Sequence, residues 1–246
     1  SGRWPFVSGS NISTWMFLST MVEGENRFMI LPTSQPGLII EPTWQAMAAR
    51  GSMTNDVLLD KVFVSEHMAP IARRPAPHEP WLPNGPAALK VPTKARVWMS
   101  GMMLGVAQAA LDDTIEFGKA RSMTVGGGSR SSMPGNQFAV ADAAMGIEAG
   151  RAFLVQEARS ITAKSIVRED FVPDAAARME MAGLVARENA QKAVHRPFSI
   201  RGANGLFDAG TCERYYRAAR VGASPSVTAP RPAPGSSPAA PPSAAT

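Results

Sequence analysis

Between residues 70 and 92 the chain carries seven prolines among 23 residues. A stretch with so many missing amide donors and fixed φ angles sustains neither a helix nor a strand ladder. It therefore divides the sequence into two parts that fold by different rules, and the hydrophobic pattern changes across it. On its N-terminal side the apolar runs are short and turn-bounded, at residues 14–22, 27–31, 38–41 and 57–64. They are separated by Glu23-Gly24-Glu25-Asn26 and Ser34-Gln35-Pro36-Gly37, which are turn signals, and they read as strands. On its C-terminal side, from Thr93, the residues Val97, Gly101, Leu104, Gln108, Leu111 and Ile115 alternate steps of four and three, the spacing of one helix face. Small residues at 101, 105, 107 and 110 are expected to let neighbouring helices approach closely.

The same period places Phe138, Ala141, Met145, Ala149 and Ala152 on one face of a second helix over 137–167. Pro173-Asp174 starts a third, expected to end near His195 because Pro197 follows. A short fourth is expected near 212–220. The tail 223–246 holds seven prolines and almost no large apolar residue. It cannot bury enough surface to offset its ordering entropy and is expected to be disordered, so that deleting it should leave the thermal midpoint unchanged. The expected boundaries are a β domain over 1–85, a linker over 86–92, a helical domain over 93–222 and the tail.

Composition narrows the function classes. The net charge of +5 is modest and the basic residues are scattered without an aromatic-interleaved stripe, which argues against a nucleic-acid partner. The single cysteine, Cys212, permits no internal disulfide and no thiolate cage, which fits a reducing cytoplasm. No apolar run reaches the ~18 residues of a membrane span. There is no metal-ligand spacing, no Walker loop and no G-x-S-x-G elbow. His67, His78 and His195 are scattered and make no catalytic pair.

Four stretches carry chemistry. The first is Gly2-Arg3-Trp4-Pro5-Phe6-Val7-Ser8-Gly9, followed by Trp15. Residues two apart share one side of a strand, so Phe6 and Ser8 are expected to offer a ring face and a hydroxyl to a flat ligand. The second runs from Trp44 through Arg50-Gly51-Ser52-Met53-Thr54-Asn55-Asp56-Val57 to Val62-Phe63-Val64-Ser65-Glu66. The third is Arg121 with Gln137 at a helix start, sixteen residues apart around a glycine-bearing loop over 125–132. The fourth is Gly202-Ala203-Asn204-Gly205, whose glycines allow close backbone approach to a ligand, followed by Glu213-Arg214-Tyr215-Tyr216-Arg217-Ala218-Ala219-Arg220-Val221.

Taken in this order, the four resemble the acyl-CoA dehydrogenase superfamily of flavoproteins over residues 1–222. The resemblance implies an α+β fold: a middle β-barrel domain followed by a C-terminal four-helix bundle, with the cofactor, FAD or FMN, held at a homodimer or homotetramer contact. It implies flavin contacts at Phe6 and Ser8, pyrophosphate and adenosine contacts at Arg121 and Gln137, and a turn near the adenine end at Gly202 and Gly205. Because the chain opens at Ser1 without an initiator Met, the family's N-terminal helical domain and the start of its β domain are expected to be missing. With one wall of the flavin site missing, affinity in the micromolar range or weaker is expected.

The Trp4-Pro5-Phe6-Val7-Ser8-Gly9 form and the long glycine loop are most similar to oxygenase subunits of two-component flavin monooxygenases. Those take reduced flavin from a reductase partner and hydroxylate a small organic substrate through a flavin C4a-hydroperoxide. The alternative is an acyl-CoA dehydrogenase, which needs a carboxylate base. The usual place for that base is taken by Ser226, and the usual Asp after Arg217 is Ala218, which removes an expected partner of that arginine. Glu116, beside Asp112 and Asp113, is the remaining carboxylate to weigh. A third reading is an inactive scaffold.

Overall fold

The computed structural model describes residues 1–71, 91–122, 127–167, 173–207 and 211–221. The centre of the proline-rich stretch with His78, and the tail with Ser226, lie outside the described residues.

The chain divides into two compact units. Among the described residues of the first, five strands form: β1 (Gly2–Val7), β2 (Trp15–Val22), β3 (Glu25–Pro32), β4 (Leu38–Glu41) and β5 (Asn55–Leu59). β5 is the centre of an antiparallel sheet ordered β1-β5-β4, while β2 and β3 make a separate hairpin whose ladder runs unbroken from Trp15↔Pro32 to Val22↔Glu25. The turn at its tip holds Glu23 and Gly24 at positive φ, which the Glu-Gly-Glu-Asn run supplies. The described strands therefore make two sheets, not the closed barrel that the resemblance implied.

Alternation decides how the sheets pack. Met16 and Leu18 on β2, Met29 and Leu31 on β3, and Val57 and Leu59 on β5 meet in one core, flanked by Trp4, Val7, Leu38 and Ile40. The Trp4 indole N–H donates to the Ser19 carbonyl at 2.7 Å and ties the two sheets together. β5 is shorter than the apolar run 57–64, because Lys61 takes φ +50° and ends the strand.

The second unit is helical: α1 (Val91–Ala120), α2 (Pro134–Val167), α3 (Pro173–Arg201) and α4 (Thr211–Val221). α3 touches each of the other three. Helix α1 starts ahead of Thr93, since Pro92 suits a first helical turn. Helix α3 continues through Pro197 to Arg201, past its expected end near His195. Proline removes one amide donor but does not by itself end a helix whose flanking turns are held by packing, and Ala193, Val194 and Ile200 are all buried. Among the described residues no helix is long and apolar enough to cross a membrane.

The core of this unit is built from Met103, Leu104, Ala107, Ala110 and Leu111 of α1, Ala143, Ile147 and Leu154 of α2, and an alanine-rich seam on α3. The seam (Ala182, Ala186, Ala190, Ala193) brings α3 close to its neighbours. At Gly150 a Cβ would stand 3.0 Å from the Ala186 Cα and 3.2 Å from a Leu104 methyl. Gly150→Leu is accordingly expected to cost about 1–2 kcal/mol by overpacking, read from urea unfolding. An unchanged midpoint would mean that the helices part freely there.

Two expectations about packing are corrected. Gly101 and Gly105 face open space, so the close approach falls to Ala107 and Ala110 alone. On α2 the face containing Phe138, Ala141, Met145, Ala149 and Ala152 is exposed, with Phe138 at 73% and Met145 at 63%, while the opposite side fills the core.

Candidate functional site

The first candidate lies in the β unit. β1 pairs with β5 in register through Trp4↔Val57, and the register then slips, so that Val7 pairs with Asn55. Three residues on β1 span what two span on β5, which is a β-bulge at Pro5-Phe6. Pro5 has no amide to lose there. Phe6 takes φ +60°, the left-handed region that a bulky aromatic rarely enters. Two contacts hold it: its ring meets Trp44 edge to face at 6.3 Å between centroids, and its N–H donates to the Asp56 carboxylate.

Asp56 is buried. Burial alone would raise its pKa, but hydrogen bonds from the Arg3 guanidinium (2.8 and 3.0 Å), the Thr43 hydroxyl and the Phe6 N–H, with the charge of Arg3, outweigh it. Its carboxyl is held below the ordinary range and stays ionised. Arg3 also reaches Glu41 at 2.6 Å.

Strand alternation therefore does not set Phe6 and Ser8, as the sequence led one to expect; the bulge does, and Ser8 sits in the turn just past β1. Both line one cleft of about 340 Å³ with Trp4, Ser13, Trp15 and Phe17. The Ser8 hydroxyl is 3.0 Å from that of Thr54, which is in turn 2.7 Å from that of Ser52. Behind it, the Asn55 side chain donates to Asn11 (2.8 Å) and Ser10 (3.2 Å) and accepts from the Trp44 amide (3.0 Å). Rings and a hydroxyl on one wall are the donor set that suits a flat heteroaromatic ring.

The second candidate lies in the helical unit, a cleft of about 280 Å³ between α1, α2 and the end of α3. Gln137 lines it, with Lys119, Arg130, Ser131 and Asn136 around an apolar floor of Ile115, Val140 and Ile200. The backbones of residues 121 and 130 are hydrogen-bonded at 2.9 Å, and Ser122 bridges to Ser129. The loop thus leaves and returns, and Arg130, not Arg121, is the arginine that faces the cleft. Arg130 donates to the Ile200 carbonyl at 2.7 Å, and Gln137 to the Ser131 carbonyl at 3.1 Å. Arg121 is exposed, its guanidinium 5.6 Å from the Phe117 ring centroid. Gly202, at φ +55°, presents its open side 4.0 Å from the Arg130 guanidinium, and Gly205 is buried in the same short turn (Gly202–Leu206). Sequence reasoning missed Arg130 and Lys119; the signal was an arginine closing a glycine loop just ahead of a helix start.

The α1 carboxylates are differently placed. Asp113 pairs with the buried Arg201 at 2.6 Å and accepts from the Thr211 hydroxyl, Asp112 accepts from Gln108, and Glu116 is exposed beside Lys119. Arg217, expected to lack a partner because of Ala218, finds one a turn earlier in Glu213 at 2.6 Å. His67 and His195 are exposed. Burial pushes the Cys212 thiol up, away from thiolate chemistry. Among the described residues no group of three His, Cys, Asp or Glu side chains could hold a metal.

A two-sheet β unit, four helices and a glycine turn after α3 are the outline of a flavoprotein class, and comparison with known proteins bears this out. The chain belongs to the acyl-CoA dehydrogenase family: the model of its C-terminal domain matches residues 97–229, more than half of the length. A probable acyl-CoA dehydrogenase, YngJ of Bacillus subtilis (strain 168), is 29% identical over 222 residues, 82% of this chain and 50% of that protein. The oxygenase component of an FADH(2)-dependent resorcinol hydroxylase from Rhizobium sp. (strain MTP-10005) is 27% identical over 184 residues, 68% of this chain and 44% of that one. XiaF from Streptomyces sp., solved with FADH2 and glycerol, superposes with a TM-score of 0.76 at 19% identity, over 90% of this chain and 58% of that one. The chain spans about half the length of the curated relatives it matches.

Proposed function

We propose that this chain is part of the oxygenase component of a two-component flavin monooxygenase, which receives reduced FAD or FMN from a reductase and hydroxylates a small organic substrate. The observation that carries the reading is the strained Pro5-Phe6 bulge, which puts a ring and the Ser8 hydroxyl on one cleft wall. Strain of this kind costs roughly 1–3 kcal/mol and persists where the surroundings enforce it; here Asp56 and Trp44 enforce it.

Bound flavin would supply electron transfer to oxygen. Phe6 would pack its ring, Ser8 would hydrogen-bond its edge, and the aromatic lining would keep water from the reacting face. In the helical unit Arg130, with Lys119 and Gln137, offers charge and an amide to the cofactor's phosphates. Arg130 takes the role that the resemblance gave to Arg121, and Gly202 and Gly205 provide the adenine-end turn. In the whole protein the two sheets would be completed to a barrel and preceded by an N-terminal helical domain, with domain limits near 85 and 93. The exposed α2 face around Phe138 and Met145 supports assembly as a homodimer or homotetramer. A cytoplasmic location fits the single free cysteine, Cys212.

The second reading, acyl-CoA dehydrogenation, is favoured by the likeness to the probable acyl-CoA dehydrogenase YngJ. A base within about 3 Å of the substrate proton, or one water away, is what it requires, and Asp113 is already committed to Arg201 and Thr211. The two readings separate in one experiment at saturating flavin. With chemically reduced flavin and air, the oxidised-flavin absorbance should return more slowly than for free flavin and in resolved phases. With acyl-CoA thioesters and an artificial acceptor, oxidised flavin should keep its colour. Bleaching by a short or medium acyl-CoA would overturn the oxygenase reading and make Glu116 the first residue to replace. If both responses are absent, the inactive-scaffold reading is the one to keep.

A further inference from the structure

We propose that Thr54 is a positioning residue that aims the Ser8 hydroxyl at the heteroatom edge of the flavin ring, an inference that rests on the flavin reading above. Ser8 is exposed in a turn, and its hydroxyl is held by a 3.0 Å hydrogen bond with that of Thr54. Thr54 is its opposite: buried, 8% exposed, β-branched, and flanked by residues that cannot shift easily. On one side the Met53 carbonyl accepts from the buried Ser10 hydroxyl at 2.8 Å. On the other, Asn55 is pinned to Asn11 and Trp44, and Val57 lies fully buried two residues on.

The hydroxyls of Ser52, Thr54 and Ser8 form a chain with links of 2.7 and 3.0 Å. A hydroxyl has one proton to give and two lone pairs to receive with. If Thr54 gives its proton to Ser8, the Ser8 proton is left to point into the cleft as a donor. If the chain runs the other way, Ser8 spends its proton on Thr54 and meets the cleft as an acceptor. Ser52, at the exposed end, can accept from or donate to water, so the chain can reverse. Ser8 could then serve as donor to one redox form of the ring and acceptor to the other without moving a heavy atom. Thr54 alone touches both ends, so the switch resides there.

The test is a set of flavin titrations on the full chain, with affinity read from fluorescence quenching and the ring environment from the shape of the long-wavelength absorption band. Ser8→Ala and Thr54→Val should each weaken FAD or FMN binding about 3- to 10-fold, the worth of one hydrogen bond, and alter the band in the same way. Thr54→Ser, which restores the hydroxyl, should restore both. The double variant should be no weaker than Ser8→Ala alone, because the two residues act as one. Wild-type affinity and band shape for Thr54→Val, or additive losses in the double variant, would overturn the proposal. Should Thr54→Val fail to fold, Thr54→Cys carries the same expectation. Folded wild-type protein that binds neither flavin would overturn the flavin reading and this proposal with it. Intact binding with an inert Thr54 would overturn the proposal alone.

Discussion

Replacing Ile147 by Ala is expected to lower the unfolding free energy of the helical unit by about 3–4 kcal/mol. Ile147 is fully buried on α2, among the core residues of α1 and α3. Truncating it removes several methyl and methylene contacts. The alanine-rich seam opposite has no long side chains to swing into the space, so most of the cavity should persist. Urea unfolding followed by far-ultraviolet circular dichroism, a signal dominated by the four helices, measures the loss. Phe138→Ser is the companion. Phe138 is 73% exposed, so the change should stay within about 0.5 kcal/mol where the chain is monomeric. A reversed order, with Phe138→Ser the more damaging, would mean that α2 is turned about its axis relative to the structure.

That reversed order is what the sequence suggested, and the reason it misled is physical. Helix α2 is apolar or small on more than one side, so its hydrophobic period selects no unique face. Phe138 and Met145 are the bulkiest residues on one candidate face, and bulk drew the reading. Burial instead follows fit: Ala143, Ile147 and Gly150 meet Ala186 and Ala190 across a narrow gap that a phenylalanine could not enter. Where the pattern was sharper the reading held. The turn signal over residues 23–26 marks the boundary between β2 and β3 to within two residues, α1 and α2 are legible as elements from their helical periods, and the start of α3 is legible from Pro173-Asp174. The end of α3 is not, because a proline's local penalty is outweighed by packing that only the folded unit reveals.

At the candidate sites the residue types are more legible in the sequence than their arrangement. Phe6 and Ser8 were legible as a pair, but the bulge that places them depends on a slip against β5, some fifty residues along the chain. No local spacing encodes such a slip. Arg130 was hidden similarly: counting from Arg121 to Gln137 treats the glycine loop as length, whereas the hydrogen bond between residues 121 and 130 folds that length away. Thr54 was visible only as part of a β-building motif, and its link to Ser8 spans 46 positions.

Asp56→Ala is expected to destabilise the β unit by about 2–3 kcal/mol at neutral pH, and the deficit should shrink in acid. The substitution leaves the Phe6 N–H without its acceptor at a strained residue and deprives Arg3 of one of two carboxylates, Glu41 remaining. Because the folded-state pKa of Asp56 is lowered, the sign of the pH effect is fixed. Above the unfolded value of about 3.9 both states are ionised and the whole contribution is present. As the pH falls through that value, the unfolded chain takes up a proton that the folded chain refuses, so stability declines. It goes on declining until the lower folded-state pKa is passed, where this carboxylate contributes nothing further. The gap between wild type and Asp56→Ala, read from urea midpoints at steps from about pH 7 downward, should therefore be constant to about pH 5 and then narrow. Asp56→Asn, which can still accept from Phe6 but not as an anion, should fall between the two at neutral pH. A gap that stays constant into strong acid would show that Asp56 acts by shape alone and that its charge does not hold Phe6 in the bulge.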